Sequence, residues 1–130
     1  KGANLKAEEI SYINAHGTST PLNDRLESKA IKELFGEAAY KTPISSLKSQ
    51  IGHSTIASSA VEAVACFLML EKQMIAPTIN HNVKDPDCDL DYVPNRARKA
   101  PLEHVLSNSF GFGGQNACLV MSHSKQGPSA

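Results

Sequence analysis

Apolar residues fall into two patterns along this chain, short continuous runs and longer stretches with a recurrence of three or four, and their order predicts an α/β chain. Glu9 to Ala15 (E-I-S-Y-I-N-A) gathers β-branched and aromatic residues and stops at His16-Gly17, which reads as a strand ending in a turn. Thr18-Ser19-Thr20-Pro21 then opens a helix, with Thr20 able to cap and Pro21 at the first helical position. Leu22, Leu26, Ala30 and Leu34 recur every four residues, Ile31 and Phe35 widen the stripe, and Gly36 ends it. Asp24, Arg25, Glu27, Lys29, Lys32 and Glu33 are assigned mainly to the solvated face, with Asp24 and Glu27 also favoured by the helix dipole.

Lys41-Thr42-Pro43 reads as a linker, and Pro43 to Leu47 as a second strand leading directly to Lys48. From Gly52 to about Glu71 the spacing predicts one helix whose apolar residues cover nearly its whole circumference, hence a helix buried on most sides. Ala57-Ser58-Ser59-Ala60 removes bulk there and would let another backbone approach, across a subunit interface for example. Gln73 to Asn80 reads as a short edge strand interrupted by Pro77. Val105 to Ser109 and Ala117 to Ser122 read as two strands joined by the glycine-rich turn Phe110 to Asn116, and His123 to Ala130 as a polar tail.

Composition narrows the partners. A chain of 130 residues suits one domain with a core of its own. Its formal net charge of zero points to neither nucleic acid nor an anionic membrane surface. The longest apolar run, Ala63 to Leu70, is far short of the roughly 20 residues of a spanning helix, and no charged-then-apolar leader opens the chain. Cys66, Cys88 and Cys118 are odd in number, widely spaced and free of any CxxC, which fits a reducing compartment, so a cytoplasmic protein is expected. Lys1 in place of Met fits a piece of a longer chain.

Three ionisable groups stand at the edge of the apolar helix. Glu62 lies inside it and would be a buried carboxylate unless a cation meets it, and Lys48 is the nearest candidate that a strand-loop-helix hairpin would bring round. His16 and His53 each sit where a regular element meets a glycine. For His16 alone, a loop histidine satisfied by backbone groups competes with a cleft-facing one. As a pair they lack the third and fourth ligands of a zinc site, so no metal is expected. The alternative is two neutral imidazoles donating hydrogen bonds to a carbonyl oxygen on which negative charge develops. A helix start and nearby Lys48 would favour the neutral form of His53. The acids from Asp85 to Asp91 lack the glycine and glutamate of a calcium loop and read as a solvated turn. The glycines at 111, 113 and 114 precede a strand, not a helix, so a hairpin tip carrying two phenylalanines is preferred to a phosphate cradle.

Four ordered motifs carry a resemblance: I-N-A-H-G-T-S-T-P-L-N-D at Ile13 to Asp24, K-S-Q-I-G-H-S at Lys48 to Ser54, D-L-D-Y-V-P-N-R-A-R at Asp89 to Arg98, and N-S-F-G-F-G-G at Asn108 to Gly114. Over almost its whole length the chain resembles the C-terminal half of elongating β-ketoacyl-[acyl-carrier-protein] synthases, most of all the stand-alone type II enzymes. The resemblance implies a thiolase-like α-β-α-β-α fold of which this chain is one half. It also implies decarboxylative condensation of an acyl thioester with malonyl-carrier protein, as in fatty acid or related polyketide elongation. His16 and His53 would polarise the malonyl thioester carbonyl, Lys48 and Glu62 would be the supporting ion pair, and Thr18 and Thr20 would hydrogen-bond the phosphopantetheine arm. Phe112, with Phe110 beside it, would be the gate.

Histidine at both positions fits elongation rather than initiation, where a His and Asn pair is used. No cofactor is implied, since the substrates ride on the phosphopantetheine of acyl carrier protein. The implied partners are an N-terminal half bearing the nucleophilic cysteine, acyl carrier protein and a second copy in a homodimer. None of the three cysteines matches the nucleophile's context; Cys66 and Cys118 read as buried structural thiols, and the chain alone is expected to lack condensing activity. Two departures stand out: Thr55 to Ser59 (T-I-A-S-S) replaces the usual small Gly and Ala residues, and Gln115 replaces a common threonine. The competing reading is a non-catalytic partner subunit of the chain-length-factor kind.

Overall fold

The computed structural model describes residues 2–123 of the chain; residues 124–130 of the expected polar tail lie outside them. Four strands form one mixed sheet in the order β2-β1-β5-β6, from β1 (Tyr12–Asn14), β2 (Ile44–Ser45), β5 (His104–Phe110) and β6 (Asn116–Ser122). β1 is parallel to both β2 and β5, whereas β5 and β6 form the antiparallel hairpin foreseen from the sequence. Its tip is a single turn at Phe112–Gly114, where Gly113 and Gly114 both take a φ of 80°, a region that glycine enters without steric cost. A second, two-stranded pairing joins β3 (Met74–Ile75) to β4 (Arg98–Lys99).

Period-2 alternation in the central strands sorts the core into two layers. Tyr12 and Val105 pack with Cys66, Met69 and Leu70 of the long helix α3 (Ser58–Lys72). Ile13, Ala15 and Ile44 face the other way, onto Ile31 and Phe35 of α1 (Asn23–Phe35). The chain is therefore an α/β unit with one helix on each face of the sheet, and its site residues cluster where β1 and β2 end.

Several sequence expectations need correction. α1 begins at Asn23 rather than at Pro21, although the Thr20 hydroxyl does accept the Asn23 N–H, at 3.3 Å. The stripe that turns inward is Glu27, Ile31 and Phe35, while Leu22, Leu26 and Leu34 are exposed. Two neighbouring rows of period four run along this helix, and the inward one carries a carboxylate. The expected helix from Gly52 is two helices. α2 (Lys48–Ile51) is stopped by Gly52, whose φ of 73° cannot continue a helix, and α3 starts only at Ser58. α3 is not covered on most sides by the described residues, since Val61, Val64, Phe67 and Leu68 remain exposed. Cys66 is buried as expected, whereas Cys118 on β6 is exposed. Among the described residues no helix is long and apolar enough to cross a membrane.

Candidate functional site

The site is built from the ends of β1 and β2 and the start of α3. Beyond β2 the chain turns directly into α2, which places Lys48 at its first position. Lys48 points at α3, where its Nζ lies 2.5 Å from Glu62 Oε1, with side-chain exposures of 4% and 1%. An ion pair this buried needs further hydrogen bonds to offset its desolvation. One comes from β1: Asn14, on the α3 side of the sheet, donates from Nδ2 to Glu62 Oε2 at 3.4 Å and to Ser107 Oγ at 3.0 Å.

The opposite face of the sheet holds a second buried carboxylate. Glu27 accepts the backbone N–H groups of His16 and Gly17, each at 2.9 Å, and the Asn108 side-chain amide at 3.1 Å. Ser46 completes the hold on this turn by donating its hydroxyl to the Gly17 carbonyl at 2.7 Å. Gly17 has a φ of 45°, and a Cβ built on it would lie 2.5 Å from Ser46 Cβ, so β1 and β2 meet here at a distance only glycine permits.

These contacts present His16 beside His53. Their ring centroids are 5.5 Å apart at an interplanar angle of 87°, and Phe110 stands 5.3 Å from the His16 ring. Burial, then the Lys48 ammonium and then His53, push the His16 imidazolium down to about 4, so His16 is neutral near pH 7. Its Nδ1 is buried with no hydrogen-bond partner among the described residues.

α3 begins five residues after His53 and not at Gly52, yet the His53 ring lies against its first residue, Ser58. Two local contacts set its tautomer. The Thr55 backbone N–H donates to His53 Nδ1 at 3.1 Å, and the Ser58 hydroxyl lies 3.0 Å from the same nitrogen. A nitrogen that accepts an N–H carries no proton of its own, so the neutral ring bears its hydrogen on Nε2 and can donate from there.

Thr18 and Thr20, their hydroxyls 3.2 Å apart, line a cleft of about 960 Å³ together with Lys48 and His53. Its far wall comes from the segment between β3 and β4, including Thr78, His81 and Tyr92. The acids of that segment form ion pairs on the protein surface: Asp85 and Asp87 meet Arg25 at 3.4 and 3.3 Å, Asp89 meets Lys32 at 2.6 Å, and Asp91 meets Arg98. Hydrogen bonds hold Asp85, Asp89 and Asp91 below their usual carboxylate range, that of Asp85 coming from the Asp87 backbone and the others from Lys32 and Arg98. Among the described residues, no group of three or more His, Cys, Asp or Glu is placed to hold a metal ion.

Lys48 and Glu62 are thus brought together, as are His16, His53 and Phe110, while Phe112 is fully exposed at the hairpin tip. Sequence reasoning missed Glu27, Ser46, Ser58 and Asn108. For Glu27 a signal existed, because it shares the i, i+4, i+8 row of Ile31 and Phe35.

The sequence profile described as "Beta-ketoacyl synthase, C-terminal domain" matches residues 1–82. A 3-oxoacyl-[acyl-carrier-protein] synthase 2 of Coxiella burnetii is 50% identical over 122 residues, which are 94% of this chain and 30% of that protein. A putative polyketide beta-ketoacyl synthase 1 of Streptomyces halstedii is 49% identical over 120 residues, 92% of this chain and 28% of that protein. A solved type II polyketide ketosynthase, bound to the hexaketide and in complex with its acyl-carrier protein, superposes with a TM-score of 0.90 at 48% identity, covering 92% of this chain and 29% of that one. The chain therefore has the fold of the corresponding part of thiolase-like ketosynthases and spans less than a third of the length of the relatives it matches.

Proposed function

The chain belongs to the β-ketoacyl synthase family, and from that premise we propose that it is the C-terminal part of an elongating 3-oxoacyl-[acyl-carrier-protein] synthase. The observation that carries this reading is the pair of imidazoles 5.5 Å apart, of which His53 lines the cleft, with His16 neutral and His53 held as the Nε2–H tautomer. Two neutral donors suit an oxygen that gains negative charge.

In this reading a cysteine of the preceding half holds the acyl chain as a thioester, and malonyl-carrier protein enters along Thr18 and Thr20. The bond between C2 and the malonyl carboxylate breaks, carbon dioxide leaves, and the electron pair passes to the thioester oxygen as an enolate held by His16 and His53. C2 then attacks the acyl thioester and expels the cysteine thiolate, giving a 3-oxoacyl product two carbons longer. Lys48 and Glu62 keep the end of β1, which carries His16, in place, and Phe110 and Phe112 gate the approach. The phosphopantetheine arm belongs to the substrate carrier, and the chemistry requires no metal or resident cofactor. The working protein in this reading is a cytoplasmic homodimer that acts with acyl carrier protein.

In the full-length protein, His16→Ala and His53→Ala should each slow carbon dioxide release from malonyl-carrier protein by about 100-fold or more, the usual loss for one oxyanion donor. Unchanged release in both variants would overturn the reading. The chain-length-factor alternative predicts no such release from the unaltered protein, and the presence of His16, Lys48 and His53 together weighs against it. The isolated 130 residues, without the nucleophile, should form no 3-oxoacyl product.

A further inference from the structure

Resting on the oxyanion reading of His53, we propose that Ser58 is a positioning residue that fixes the His53 ring and its tautomer. Ser58 opens α3, where serine usually serves the helix, yet the α3 N-cap is Ala57 and no side chain caps it. The Ser58 hydroxyl is instead 3.0 Å from His53 Nδ1, on a side chain that is 6% exposed as a residue. Because Thr55 N–H already donates to that nitrogen, Nδ1 is an acceptor and the Ser58 hydroxyl can only donate to it.

Two donors thus converge on one ring nitrogen from either side of a tight turn. Thr55 takes a φ of 49°, a left-handed conformation costly for a β-branched residue. The turn through Ser54 and Thr55 carries the chain around the ring so that α3 begins with its hydroxyl on His53. A backbone N–H alone would leave the imidazole a hinge about one contact. The second donor removes that freedom and turns Nε2–H in a single direction, toward the carbonyl oxygen it serves. Ser58 belongs to the T-I-A-S-S run that departs from small apolar residues, and this contact gives that departure a chemical purpose.

The test uses the full-length protein with Ser58→Ala, Ser58→Thr, His53→Ala and the double variant Ser58→Ala/His53→Ala. Loss of one neutral hydrogen bond should lower kcat for malonyl-carrier-protein decarboxylation by about two- to ten-fold. KM should stay unchanged, Ser58→Thr should restore the rate, and Ser58→Ala should cost nothing further in the His53→Ala background. An unchanged kcat in Ser58→Ala where His53→Ala slows decarboxylation overturns the proposal and leaves the oxyanion reading standing, as does an added loss in the double variant. If His53→Ala itself leaves decarboxylation intact, the oxyanion reading falls. Ring-15N spectra then decide for Ser58: a displaced His53 Nδ1 resonance in Ser58→Ala supports the positioning contact, and an unmoved one overturns it.

Discussion

Glu27 Oε1 accepts the backbone N–H of His16 at 2.9 Å, and its partner oxygen takes the N–H of Gly17 at the same distance. A buried carboxylate thus does for the end of β1 what a further strand would otherwise do, pairing backbone donors that have left the sheet ladder. Replacing Glu27 by Ala strands both N–H groups and the Asn108 amide. At about 1–3 kcal/mol per unsatisfied buried group, a loss on the order of 3 kcal/mol is expected. Glu27→Gln keeps one acceptor oxygen and should retain a substantial part of this. Unfolding midpoints of the two full-length variants check the ordering, and equal midpoints would refute it.

Lys48 and Glu62 predict a different pattern. Removing either partner, by Lys48→Met or Glu62→Leu, leaves an uncompensated buried charge and should cost about 3–5 kcal/mol. The double variant Lys48→Met/Glu62→Leu should lose far less than the sum, because two apolar side chains fit a dry site. Decarboxylation should stay low in all three variants. A double-mutant cycle of stability beside activity separates the pair's two effects, and additive stability losses would show that the ion pair is not coupled.

The pH dependence of stability carries the mark of His16. Its proton is disfavoured in the folded state, at about 4 against an ordinary 6.5, so between these values the unfolded chain binds a proton that the native chain does not. Stability therefore rises with pH through this window: the contribution is complete above about 6.5 and is lost as pH falls toward about 4. In His16→Asn the slope of unfolding free energy against pH should flatten between pH 4 and 6.5. An identical slope in both proteins would place the depressed titration elsewhere.

Much of this arrangement was legible in the sequence, and the exceptions share a cause. The alternation around β1, the β5–β6 hairpin and the meeting of Lys48 with Glu62 follow from local period and from the cost of a buried charge. The inward face of α1 does not. Leu22, Leu26 and Leu34 form as regular a row as Glu27, Ile31 and Phe35, and periodicity cannot say which row meets the sheet. Choosing the apolar row made Glu27 a surface residue. The break between α2 and α3 was hidden for a related reason: apolar spacing continues through it, while the interruption lies in the backbone angles of Gly52 and Thr55. Ser46 and Ser58 carry no pattern at all, since a serine's role is set by the one acceptor it happens to face.

The contact between Gly17 and Ser46 yields the most stringent steric prediction. Gly17→Ala would force its new methyl against Ser46 Cβ at 2.5 Å and Ser46 Oγ at 2.6 Å while holding alanine at a φ of 45°. Overpacking costs about 1–3 kcal/mol and the left-handed conformation roughly 1–2 more. Ser46→Ala should give no relief, because its Cβ is the nearest obstacle. Ser46→Gly, combined with Gly17→Ala, should recover the steric part alone and leave the conformational part. Thermal unfolding of Gly17→Ala and of its two double variants in the full-length protein distinguishes the two terms. Equal rescue by Ser46→Ala and Ser46→Gly would mean that the hydroxyl, and not the methylene, is what obstructs the new methyl.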